Sequence, residues 1–227
     1  MTPNHITAPI PGLRRLTTPR AAAWAGVLFA VLFGLSLVLM RLSIPADPFA
    51  EPNWLTEGSG RLRWAMTLMP LSGIAFLWFV GVVRDRLGQY EDRFLASVFL
   101  GSGLLFLAMA FASTAIAGGI LVSASDAGQA YDPTLLRFAR ATMLQVSNVY
   151  ALRMAAAFMI SLATIWLRTG LMPRWLAGLT YALALVLLVV TTLSLWTTLV
   201  FPAWVLLVSV LFLVRSFTVQ SEGPAPD

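Results

Sequence analysis

Few side chains in this sequence can do more than pack. One charge, Arg153, lies inside a long apolar run, and Asn148 lies five residues before it. A guanidinium at mid-membrane costs about 2.5–3.5 kcal/mol on insertion scales, so it either serves an anionic group or reaches the polar boundary along its own stem. Arg153 and Asn148 form the candidate intramembrane polar site, with Asp126 and Asp132 as the carboxylates that a snorkelling Arg153 would meet. A second set, Gly81, Asp85, Arg86 and Gly88, occupies a short charged stretch between two apolar runs and is the candidate cytoplasmic gate or turn.

The missing residue types restrict chemistry further. There is no cysteine, so disulfides, thiolate metal sites and cysteine nucleophiles are excluded, and the single histidine, His5, stands in a polar N-terminal stretch. Haem or catalytic zinc held by several imidazoles of one chain is excluded with them. No aspartate or glutamate falls within an apolar run, which removes the carboxylates that ion-coupled transport and intramembrane proteolysis commonly use. Asp47, Glu51 and Glu57 do not have calcium-loop spacing. The expectation is no catalytic residue, no metal and no cofactor, and therefore no enzyme.

The medium that positions these residues follows from composition. Of 227 residues, 59% are hydrophobic and 11% charged, against about a quarter charged in a water-soluble domain. Mean hydropathy is +0.82. All fifteen basic residues are arginine, and they stand singly or in pairs beside apolar runs. There they orient helices and meet anionic headgroups, so the net charge of +5 does not imply nucleic acid.

The apolar runs predict an all-α polytopic bundle with about six spans, near residues 21–40, 65–83, 95–117, 147–167, 176–195 and 198–214. The last two are alternatively one re-entrant pair. Residues 1–20 read as a basic cytoplasmic tail, 41–63 as a proline-punctuated loop, and 215–227 as a disordered cytoplasmic tail. Pro70 should kink the second span, and Gly118-Gly119 should tilt or break the third. Between 134 and 147 the pattern suits an amphipathic stretch in the outer interface, continuing into the fourth crossing or abutting it. The third span carries Gly101, Gly103, Ala108, Ala112, Gly118 and Gly119, small residues that let helix backbones approach, and it is the expected centre of the bundle. With both termini inside, nine arginines face the cytoplasm and five the exterior. Trp24, Trp64, Trp78, Trp166, Trp175 and Trp196 fall near predicted span ends, where indoles prefer to sit.

The motif from Gly81 to Gly88, G-x-x-x-D-R-x-G, resembles the loop signature of major facilitator transporters, with Gln89 and Tyr90 where that signature continues with a basic pair. The resemblance implies a gating contact for Asp85 and Arg86. The stretch GIAFLWFVGVVRDRLGQYEDRF, Gly73 to Phe94, is similar to small multi-pass integral membrane proteins of high-GC bacteria, which implies a bacterial inner membrane. The functional expectation is a non-enzymatic accessory or scaffold component. Its partners would be the lipid bilayer and a second copy or another membrane protein. The alternative is a small dimeric transporter or permease-like protein for an anionic or apolar solute.

Overall fold

The computed structural model describes residues 19–44, 58–87, 93–125, 132–189 and 195–221, and among them there is no strand. The elements are α1 (Pro19–Ser43), α2 (Ser59–Leu87), α3 (Arg93–Ser125), α4 (Pro133–Gln145), a π-helical turn (Val146–Ala151), α5 (Leu152–Thr169), α6 (Arg174–Val189), a 3₁₀ turn (Leu195–Leu199) and α7 (Val200–Ser221). Because α4, the π turn and α5 run on without interruption, the described residues make six helical rods. Five are long and apolar enough to cross a membrane, and α6 is a shorter apolar helix. This is a helical membrane bundle.

Local signals set several ends. Asp132 caps α4, its carboxylate accepting from the Thr134 backbone N–H at 2.8 Å with Pro133 in the first turn. That bond holds the Asp132 carboxyl below its ordinary range. Gly170 ends α5 in the left-handed region, φ 66°, where its N–H donates to Trp166 O at 2.9 Å.

Elsewhere the rods outrun the sequence pattern. α3 continues through Gly118-Gly119 to Ser125, where a break was expected. Gly118 is buried under the Met66 side chain, and this packing together with the need to keep backbone groups bonded in hydrocarbon outweighs a glycine penalty of about 1 kcal/mol. α7 extends to Ser221, through the first part of the expected disordered tail. α1 extends to Ser43, so Arg41 is helical rather than part of a loop. The rod from Pro133 to Thr169 is 37 residues, about 55 Å at the helical rise, so the amphipathic stretch is its first part rather than a separate helix.

Contacts close a ring: α1 packs on α2 and α7, α7 meets α6, α6 packs on α5, α5 on α3, and α3 on α2. Aromatic rings fill the middle. Phe76 of α2 is the hub, with ring centroids 4.8 Å from Phe29, 5.6 Å from Phe106, 5.5 Å from Phe158 and 6.0 Å from Phe201. Lipid gives no hydrophobic gain for burying such groups, so dispersion and ring geometry, about 0.5–1.5 kcal/mol per aromatic pair, hold the centre. Buried polar side chains pin rod to rod. Ser36 Oγ donates to Ala65 O at 2.8 Å, joining α1 to α2. Trp204 Nε1 donates to Thr180 Oγ1 at 2.9 Å, joining α7 to α6. Trp166, expected at a span end near the interface, is instead buried in this core, 6.2 Å from the Trp204 ring.

The closest approach is at Gly26 of α1, where a Cβ would collide with Ser209 Oγ of α7 and lie 2.8 Å from the Phe79 ring. Gly26→Leu should therefore lower thermal stability in detergent by about 1–3 kcal/mol through overpacking. Ser209 Oγ is buried without a hydrogen bond among the described residues, so Ser209→Ala should leave stability within about 1 kcal/mol. Circular-dichroism melts of the two variants check the contrast.

Candidate functional site: a cleft at one end of the bundle

The end of the bundle where α1 finishes and α2 begins, called distal here, holds a cleft of about 540 Å³ counted to its open mouth. Its apolar walls include Leu37 and Met40 from α1, Met69 from α2, Phe106 and Ala110 from α3, and Met143 before the π turn. Phe33 and Phe106 form its floor and also belong to the aromatic centre, 5.4 Å apart. The polar lining comes from Arg41, Ser113, Thr114, Ser147 and Thr198.

Among the described residues Arg41 is the one charged group in this lining. It sits in the last turn of α1, partly exposed, and its Nη2 donates to Asn148 Oδ1 at 2.5 Å. Ser147 Oγ donates to the same oxygen at 3.1 Å. Asn148 and Ser147 both belong to the π turn, and a π turn re-aims side chains and loosens the carbonyl ladder around it. One loosened carbonyl, Met143 O, accepts from Ser113 Oγ of α3 at 3.0 Å and from the Val146 N–H. Thr114 Oγ1 donates to Ala110 O at 2.9 Å. The protons of Ser113 and Thr114 are thus committed to backbone carbonyls, and among the described residues no imidazole or carboxylate lines the cleft to activate a hydroxyl. Among the described residues the cleft lining holds no nucleophile–base pair.

The structure separates the residues of the intramembrane site. Asn148 turns in towards Arg41, whereas Arg153 is exposed on the outer surface of α5. Five residues apart on a helix is about 140°, which is why the two do not meet. Gly81 and Asp85 lie exposed on the last turns of α2, away from the cleft, and nothing packs on Gly81. The Arg86 side chain and Gly88 lie outside the described residues. The small residues of α3 divide: Gly103 packs on the Phe158 ring, 3.1 Å from where a Cβ would be, and Gly118 on Met66. Ala108, Ala112 and Gly119 are exposed, and Gly101 has open space beside it.

Arg41, which the sequence reading places at the start of a loop, lines the cleft, and Arg140, read as part of the amphipathic stretch, is buried. A signal for Arg41 existed: Leu42 and Ile44 continue the apolar pattern beyond it. Compared with known proteins, the chain matches no family model, no curated protein and no solved structure.

If the Arg41–Asn148 contact pins α1 to the π turn, a double-mutant cycle with Arg41→Ala and Asn148→Ala should give a coupling of about 1–3 kcal/mol in detergent unfolding. Additive effects of the two changes would remove the contact as a structural tie.

Proposed function

We propose that this protein is a non-enzymatic accessory or scaffold component of a bacterial inner membrane, working by lateral packing against a second copy or another membrane protein. The observation that carries the reading is the outward face of α3. Gly101, Leu105, Ala108, Ala112, Ala115 and Gly119 follow one another at alternating steps of four and three, which keeps them on one side of the helix. Leu105, Ala108, Ala112, Ala115 and Gly119 are exposed, and Gly101 is partly so. Among the described residues α3 packs on α2 and on the α4–α5 rod, and none of them covers this face. A small-residue seam at heptad spacing lets a neighbouring helix approach closely at a shallow crossing angle, where dispersion is the main attraction lipid leaves available. The excess of arginine on one set of loops supports termini in the cytoplasm, and the likeness of Gly73 to Phe94 to proteins of high-GC bacteria supports the inner membrane.

The distal cleft favours a second reading, the dimeric permease-like protein for an anionic or apolar solute, with Arg41 in the role that the sequence offered to Arg153. The aromatic floor closes the cleft below, with Phe106 and Phe201 only 4.5 Å apart, which is why lateral packing ranks first.

The natural chain has no cysteine, so single substitutions report cleanly. Ala112→Cys should cross-link in native membranes to a product whose mass tells a second copy from a different partner, and Ala112→Trp should shift the assembly to a smaller size in mild detergent. A yield for Ala112→Cys no greater than for Leu185→Cys, on the exposed face of α6, contradicts the reading.

A further inference from the structure

We infer that the distal cleft binds one acyl chain of an anionic amphiphile, with the carboxylate or phosphate head on Arg41 and the chain between the methionine-lined walls. This is independent of the α3 face and rests on the cleft alone.

The charge comes first. A guanidinium has five N–H donors in a planar fork that matches a carboxylate or phosphate. Asn148 Oδ1 takes one of them and is neutral, and among the described residues no carboxylate reaches Arg41. Among the described residues a neutral amide is the partner of this partly buried cation, and the head of an anionic ligand would meet the fork's remaining donors. Arg41 stands two residues before the end of a helix long enough to span, the level at which lipid headgroups lie.

The remaining lining defines the rest of the ligand. The hydroxyls of Ser113 and Thr114 give their protons to Met143 O and Ala110 O, so they add no donors for a small hydrated anion. Leu37, Met40, Met69, Phe106 and Met143 instead offer an apolar slot, and methionines adjust to a flexible chain. The slot is narrow, closed in by side chains of α1, α2, α3 and α4. That favours one chain over the two tails of a lipid lying side by side, although one tail of a bilayer lipid could enter with its head on Arg41. Free fatty acid and anionic phospholipid therefore share the chemistry, and the experiment separates them.

The full-length protein in nanodiscs of zwitterionic phosphatidylcholine would be titrated with palmitate, and then with phosphatidylglycerol as competitor. Saturable palmitate binding is expected, weakened at least about tenfold, or about 1.4 kcal/mol, by Arg41→Gln. Arg41→Lys should retain most of it, and Arg153→Gln, on the outer surface, should leave it unchanged. Ala110→Phe keeps the guanidinium but fills the slot, and should weaken binding to a similar degree even if Arg41→Gln fails to fold. Displacement of palmitate by phosphatidylglycerol identifies the bilayer lipid as the occupant, and no displacement identifies the free acid. Absence of saturable binding overturns the inference. So does binding that survives Ala110→Phe, or binding that falls as much with Arg153→Gln as with Arg41→Gln.

Discussion

Hydrocarbon offers no partner for a peptide N–H or C=O, so a chain this apolar must satisfy its backbone within its own rods. Most of the architecture follows from that constraint. It carries α2 through Pro70, where a ladder bond is lost, and α3 through two adjacent glycines, either of which would tempt a soluble helix to stop. It also explains the neighbours of the π turn. Where the ladder widens between Val146 and Ala151, Ser113 reaches across from α3 to the Met143 carbonyl. At this irregular stretch the rod turns Asn148 towards Arg41 of α1, with Ser147 bonded to the same amide oxygen.

The same solvent removes the usual reason for a core. Apolar surface gains nothing by leaving lipid for protein, so specificity comes from shape and from a few buried hydrogen bonds. Phe76 sits among rings from α1, α3, α5 and α7, while Ser36 and Trp204 tie neighbouring rods at their edges. The ring of helices is consequently filled with aromatic rings at its centre, holds the cleft at its distal end, and presents small residues on the outer side of α3. Binding at the cleft and packing on that outer face use different residues and are separable.

The spans were legible because twenty or so uncharged residues in a row have one physical explanation. The caps follow ordinary helix punctuation, Asp132 before Pro133 and Gly170 before Pro173. Facing was not legible. In water, polarity tells the inside of a helix from its outside; in α3 both sides are apolar, so Gly103 and Gly118 turning inward while Ala108 and Ala112 turn outward leaves no mark on the sequence. The facing of Arg41 and Arg153 is hidden in the sequence for a related reason: Arg153, which could serve an anion or snorkel, is exposed, and Arg41 lines the cleft. Position within an apolar run says how deep a charge lies, and the direction it faces depends on where neighbouring rods sit. The burial of Trp166 is the same lesson, since an indole near a span end has both an interface and a core available.

Labelling of single cysteines from outside intact cells tests the membrane-crossing bundle most directly. Gly60→Cys, at the start of α2, and Arg93→Cys, at the start of α3, are both exposed and lie at opposite ends of the α2 rod. If α2 crosses the bilayer, a membrane-impermeant maleimide should label one of the two in intact cells and the other only after permeabilisation. Equal labelling of both before permeabilisation, or of neither, would contradict it.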